Sequence, residues 1–396
     1  MGYFLKLISN FAVVNNQECI MAGLYVHIPF CASRCIYCGF YSTTMLELRS
    51  RYVDALCREM SLQKTHPPIE TIYLGGGTPS QVSHDDLLRL FTYIYKVYPV
   101  ATDAEVTMEC NPDDISPSMF RDLPVNRVSM GAQTFDENRL RLLHRRHTAE
   151  EVNRAFDILR ADGIRNISLD LMFGFPNETM DDWERDIDHA LRLQPEHLSA
   201  YGLMYEEGTP LYRMLEQGKV SEIDEELSIS MYDTLIDRLS KAGYEHYEIS
   251  NFAKLSVDDK VLHRPSSFRS RHNSSYWHDI PYIGLGAAAH SYDGHSRHWA
   301  VADLKQYITA IEAGRLPYTE ESIDESTHYD DLITTALRTR EGLDLDKLSP
   351  PYRSYLLTQA QPFLDKQMLA ITGHHLHLTR QGILLSNTIM SDLMHV

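Results

Sequence analysis

Apolar and polar positions alternate in six short runs over the first half of the chain, at residues 23–28, 70–74, 105–109, 127–130, 166–171 and 197–202. A period of two is that of a strand whose two faces meet different surroundings. Between these runs, apolar residues recur at helical spacing over 46–62, 85–97, 149–161 and 180–193, the last opening on acidic side chains that suit a helix N-terminus. Strands alternating with helices predict βαβ units and a parallel sheet. The unusual residues fall at the strand ends. A cysteine loop follows the first strand and Gly75-Gly-Gly-Thr-Pro-Ser80 the second, while Glu109-Cys-Asn-Pro112 closes the third. Gly131-Ala-Gln133 follows the fourth, Asp170-Leu-Met-Phe-Gly-Phe-Pro176 ends the fifth and Ala200-Tyr-Gly202 the sixth. All six segments therefore gather at the C-terminal rim of one sheet, where parallel α/β barrels build their sites.

Beyond residue 220 the pattern changes. A helix over 224–242 leads into Gly243-Tyr-Glu-His-Tyr-Glu-Ile-Ser-Asn251, and a polar stretch over 254–270, broken at Pro265-Ser-Ser267, is expected to be a mobile loop. From Asp303 the text is helical, ending in a strand-turn pattern at 375–382 that suits a small wing. The expected division is a core at 21–253, a connecting loop segment at 254–300 and a C-terminal domain at 301–396. Residues 1–20 are read as a dispensable extension. Their apolar stretch at 4–14 is too short to span a bilayer and is followed by Asn15-Asn-Gln-Glu18 rather than a small-residue cleavage site.

Composition narrows the function. With 396 residues, 43% of them hydrophobic, the chain can bury a large core. A net charge of −18 opposes general nucleic-acid binding, which needs cations to displace counterions from phosphates. Six cysteines imply no extracellular disulfide framework and fit a reducing cytosol. Cys19, Cys57 and Cys110 read as single buried thiols that behave as small hydrophobes.

Cys31, Cys35 and Cys38 read differently. Three thiols spaced CxxxCxxC in one loop can wrap one metal cluster but supply no fourth ligand. A cubane held by three thiolates leaves one iron open to another molecule, and in radical S-adenosylmethionine (SAM) proteins that iron takes the amino and carboxylate groups of SAM. Zinc is the rival, although its structural sites favour paired knuckles or nearby histidines that close a tetrahedron. Gly75-Gly76-Gly77-Thr78-Pro79 has neither a phosphate-loop ending nor a GxGxxG pattern, so it reads as a tight turn or as backbone that approaches a ligand closely. Glu109, Gln133, Arg145 and Asp170 lie at or just past strand ends. There carboxylates could accept from ribose hydroxyls and a guanidinium could hold a carboxylate.

Together, Gly23-Leu-Tyr-Val-His-Ile-Pro-Phe-Cys31, the cysteine loop, the glycine run, Glu109-Cys-Asn-Pro112, Arg127-Val-Ser-Met-Gly-Ala-Gln-Thr-Phe135 and Asp170-Leu-Met-Phe-Gly-Phe-Pro176 resemble the radical SAM family of oxygen-independent coproporphyrinogen III oxidases. Within it, the chain is most similar to the heme chaperones of the HemW group. The resemblance runs from Met21 to the C-terminus. It implies an α/β fold: an incomplete (β/α)6 TIM-like radical SAM barrel with a small, mostly helical, winged-helix-like C-terminal domain. It puts Cys31, Cys35 and Cys38 on a 4Fe-4S cluster, and Tyr25, Tyr37, Gly76, Gly77, Thr78, Glu109, Gln133, Arg145 and Asp170 at SAM-contact positions. One departure stands out. The family usually carries Gly-Arg-x-His where this chain reads His144-Arg145-Arg146-His147, which puts the local turn in doubt.

Two features oppose the decarboxylating oxidases. Those resemble CxxxCxxCxC, whereas this chain has Phe40, and they carry a long arm before the first cysteine, whereas thirty residues precede Cys31. In contrast, Arg271-His-Asn-Ser-Ser-Tyr-Trp277 matches the HNxxYW signature associated with heme. The resemblance thus implies that His272 offers an imidazole to heme iron while Tyr276 and Trp277 supply aromatic faces. The expected protein is a heme chaperone with SAM and cluster, delivering heme to acceptor proteins such as respiratory ones. The alternative is the SAM-dependent oxidase, and a radical SAM enzyme acting on RNA is disfavoured by the acidic balance. No nucleic-acid partner or transmembrane segment is expected. A cytoplasmic location is, with peripheral membrane association and a homodimer left open.

Overall fold

A computed structural model describes residues 21–395, so the N-terminal extension and Cys19 lie outside the described residues. The six expected strands are present as β1 (Ala22–Ile28), β2 (Ile69–Gly76), β3 (Val100–Cys110), β4 (Arg127–Gln133), β5 (Asn166–Phe173) and β6 (His197–Gly202). They pair in parallel in sequence order. Along β1, Leu24, Val26 and Ile28 are fully buried in the main apolar core. The opposite face is polar: Thr71, Glu105, Thr107, Arg127, Ser129, Ser168 and His197 are all buried there. A strand presents alternate residues to opposite faces, so one sequence can carry a dry outer layer and a wet barrel interior.

The intervening helices start where their side chains satisfy free amides. Thr148 and Thr179 each form a reciprocal capping box ahead of helices Ala149–Ala161 and Met180–Leu193. Helices Arg49–Leu62, His84–Val97 and Glu225–Lys241 also lie close to the expected spans.

The expected loop at 254–300 is a correction. It holds helices Val257–Leu262 and Arg271–Trp277 and three strands, which with strands on either side of the segment extend the barrel sheet to twelve. A hairpin of β7 (Tyr244–Glu248) and β8 (Asn251–Lys254) adds antiparallel to β6. At the other edge β9 (Tyr282–Leu285) runs parallel to β1, followed by β10 (His290–Tyr292), β11 (Ser296–Ala300) and β12 (Tyr318–Ser322). Nor is 254–270 an unanchored loop. The buried Asp259 carboxylate accepts from Ser256 N–H, Ser267 N–H and hydroxyl, and Arg264, at 2.9–3.1 Å. Polarity there marks an internal network rather than solvation.

A second apolar core draws its buried members from Tyr329 to Leu393. It joins helices Glu325–Ala336, Pro350–Asp365 and Ser386–Leu393 to a small antiparallel sheet of β13 (Leu343–Asp344), β15 (His375–Leu378) and β14 (Leu369–Thr372). Residue 301 is too early for its start, because Leu304, Tyr307, Ile308 and Ile311 pack into the barrel core. No helix among the described residues is long and apolar enough to cross a membrane.

Candidate functional site

The cysteine loop is pinned at its base and its middle. Phe30 is buried in the core against Tyr52, and Cys31 N–H donates to Thr43 O at 2.9 Å while Thr43 N–H donates to Pro29 O at 2.7 Å. Ile36 N–H donates to Leu143 O, and Leu211 N–H donates back to Ile36 O. Cys31, Cys35 and Cys38 are thereby left partly exposed at the C-terminal mouth of the barrel, all as free thiols. Thr78 Oγ1 donates to Cys31 Sγ at 3.5 Å, and Arg145 approaches Cys35 Sγ at 3.6 Å. Burial pushes the Cys31 and Cys38 thiols up.

The glycine run has two reasons to be glycine. Gly76 adopts φ +102°, and a Cβ there would overlap the His27 ring. A Cβ on Gly77 would come within 2.6 Å of Ile28 O, so the ends of β1 and β2 close together only without side chains. The run is both a strained strand end and bare backbone at the mouth.

Glu109 and Asp170 lie across the barrel interior. Glu109 accepts from Tyr73 OH at 2.7 Å and Gly76 N–H at 3.1 Å, and burial, reinforced by the Asp170 charge, lifts its carboxyl to about 7. Ser129 OH donates to Asp170 at 3.2 Å, and burial raises that carboxyl too. Arg145 donates to Gly131 O at 2.6 Å and Asn111 Oδ1 at 2.9 Å, yet its buried Nε has no hydrogen-bond partner. Gln133 sits at φ +67°, a conformation a non-glycine residue holds only where its surroundings impose it. The doubtful turn is also resolved. His144 has φ +58°, so the left-handed position usually filled by glycine is kept, with a histidine in it.

The structure thus brings the three cysteines, the glycine run, Glu109, Gln133, Arg145 and Asp170 to one mouth. Tyr25 lies just beneath, its hydroxyl hydrogen-bonded to His27 Nδ1 at 2.9 Å, and Tyr37 packs beside Leu143, Met172 and Phe175. His272 is not among them. The helix Arg271–Trp277 closes the opposite end of the barrel, its first amides bound by the buried Glu105 carboxylate at 3.1 and 3.0 Å. His272 is 1% exposed, with Nδ1 bonded to Thr71 Oγ1 and Nε2 to Tyr276 OH, both at 2.8 Å, and its ring stacked on Tyr73. Burial pushes it down to about 3, so it is neutral. The expectation of an available imidazole at His272 is therefore corrected, because both ring nitrogens are already used inside the protein. Tyr276 packs edge-on to Tyr282, and Trp277 lies under the Arg338 guanidinium at 4.9 Å.

The radical SAM superfamily profile matches residues 25–190, and the HemN C-terminal domain profile matches 323–385. The heme chaperone HemW of Bacillus subtilis is 34% identical over 393 residues, covering 94% of this chain and 99% of that one. The HemW protein of Mycobacterium tuberculosis is 33% identical over 384 residues, covering 94% of each. The chain belongs to the HemW family. Its fold is also that of the Escherichia coli coproporphyrinogen III oxidase HemN, at a TM-score of 0.80 and 21% identity over 100% of this chain and 93% of that one.

Radical SAM membership implies SAM and a 4Fe-4S cluster in this HemW-family chain. The donor set fits. Three free thiols share one anchored loop, the ligand type that an iron-sulfur cluster takes. The buried, partnerless Arg145 Nε and the two carboxylates offer a donor and acceptors to a polar ligand. Sequence reasoning missed Tyr73, Ser129 and Asn111, which orient Glu109, Asp170 and Arg145. Inward positions on β2 and β4 were the available signal for the first two. Cys110 is buried in the apolar core and Cys57 packs at its margin.

Proposed function

We propose that this protein is a heme chaperone that binds heme, carries a SAM-coordinating 4Fe-4S cluster and passes heme to acceptor proteins. One observation carries the reading: similarity over 94% of the chain to proteins named heme chaperones. Cys31, Cys35 and Cys38 would hold the cluster, whose open iron would accept the amino and carboxylate groups of SAM. Tyr25, Tyr37, Gly76, Gly77, Thr78, Glu109, Gln133, Arg145 and Asp170 would line the SAM site. The neighbouring hydroxyls and amides hold both carboxyl groups in place, and the guanidinium is fixed by Gly131 and Asn111. The likeness to the oxidase is one of fold, and Phe40 stands exposed where a CxxxCxxCxC loop would have its fourth cysteine.

The test is transfer. Protein reconstituted anaerobically and loaded with hemin is mixed with an apo heme protein, and the Soret band should move to that of the acceptor's holo form. Retention of all the hemin, or catalytic formation of protoporphyrinogen from coproporphyrinogen III with SAM and reductant, would overturn the reading.

A further inference from the structure

Since both His272 ring nitrogens are bonded inside the barrel, an iron ligand for heme is to be sought elsewhere. A cavity of about 660 Å³ opens between β7 and the C-terminal unit, within the range of sites that enclose small organic ligands. Apolar and aromatic groups form much of its wall, among them Tyr247, Leu337, Leu378 and Ile383. Three histidines also reach it, but they are not equivalent. His246 is stacked on Phe252 at 4.4 Å with Nε2 bonded to Ile249 O, and His377 is bonded through both nitrogens, to Thr372 Oγ1 at 3.0 Å and Leu378 O at 3.2 Å. His375, two residues before His377 and so on the same face of β15, has no hydrogen-bond partner for its ring among the described residues.

The charged groups there are incompletely paired as well. Arg338 Nε is buried without a hydrogen-bond partner, and the nearest carboxylate oxygen, Glu248 Oε2, is 3.6 Å from its Nη2 and equally orphaned although Glu248 is only 3% exposed. Arg340 makes one ion pair, to Glu245 at 3.2 Å, and its side chain is otherwise largely open. Arg380, by contrast, is fully engaged by Asp233 and Asp237. A roomy, partly apolar slot with one free imidazole and two under-used guanidinium groups matches a flat iron macrocycle bearing two carboxylates.

We propose that this cleft is the heme site, with His375 as an iron ligand and Arg338 and Arg340 receiving the propionates; this rests on the heme reading above. The HNxxYW helix then acts from behind. Trp277 supports Arg338 through its ring face, so the motif positions a cleft residue instead of touching iron.

Hemin is titrated into cluster-loaded protein and into His375→Ala, Arg340→Gln and His272→Ala variants, with iron content and the effect of SAM on the cluster's paramagnetic signal as independent checks of folding. His375→Ala should weaken hemin at least tenfold and shift the Soret band while iron and SAM response stay normal. Arg340→Gln should weaken hemin but not its dimethyl ester, which lacks the carboxylates. His272→Ala should leave the spectrum of bound heme unchanged even where affinity falls. An unchanged affinity and spectrum in His375→Ala, or a Soret shift in His272→Ala alone, would overturn the assignment while leaving heme binding intact. Failure of the wild-type protein to bind hemin would sink the heme reading itself.

Discussion

His144 shows how a single position can be strained without being lost. Its left-handed backbone is what glycine adopts at little cost and what an L side chain adopts at about 1 kcal/mol or more. His144→Gly should therefore keep or slightly raise the denaturation midpoint and leave iron content unchanged, whereas a β-branched residue there should lower both. Glu59 makes the opposite point about chemistry hidden in a helix. Its buried carboxyl accepts from Tyr307, Tyr318 and Gly286 N–H at 2.5, 2.7 and 2.9 Å, yet burial outweighs these donors and lifts it from 4.5 to about 7. The folded protein thus keeps a proton that the unfolded chain loses above pH 4.5. This group's contribution to stability is full below that pH and falls as pH rises towards 7, by on the order of 3 kcal/mol at most. Glu59→Gln should flatten that slope in thermal denaturation measured from pH 5 to 8; an unaltered slope would remove Glu59 as its cause.

Among the elements, the cysteine loop and the helix Arg271–Trp277 plug opposite ends of one barrel and should fail independently. Ala in place of Cys31, Cys35 or Cys38 should abolish the roughly four irons expected per chain of a cubane, while Cys57→Ala should not. Zinc bound after anaerobic purification would contradict this. The helix depends on Glu105, whose carboxylate takes the amides of Arg271 and His272. Glu105→Ala leaves two donors unmet and should cost about 2 kcal/mol in urea unfolding. Iron content at low urea should be normal, because the loop is anchored through Phe30 and Ile36 at the other end.

The two large apolar cores of the described residues are stitched along one sheet edge. Residues after the helix Glu325–Ala336 lie against β7, with Ile249 N–H donating to Arg338 O and Arg340 N–H to Tyr247 O at 3.1 and 2.9 Å. Arg269 ties both sides, bonding Glu245 and Glu341 at 2.7 Å and covering the Tyr247 ring. An edge strand is otherwise a row of unpaired amides, so this seam protects β7 as well as forming the cleft. Arg269→Ala should raise hydrogen exchange across 323–385 and weaken hemin without lowering SAM binding. Equal protection in both proteins would show that the seam does not depend on Arg269.

Local pattern determined much of this protein. Alternation marked the six parallel strands, helical spacing the helices between them, and the CxxxCxxC spacing the cluster loop, because each is a regularity between near neighbours in the chain. The rim position of Glu109, Gln133, Arg145 and Asp170 was legible for the same reason: a parallel strand places its end residues on one side of the sheet. What tertiary structure alone decided was the fate of polar text after residue 250. His272 looks like a solvated loop residue in one dimension, yet partners as distant as Thr71 and Glu105 hold it buried. Whether a histidine is a free ligand depends on what already occupies its two nitrogens. Those partners are set by strands some two hundred residues away, and no local spacing records them.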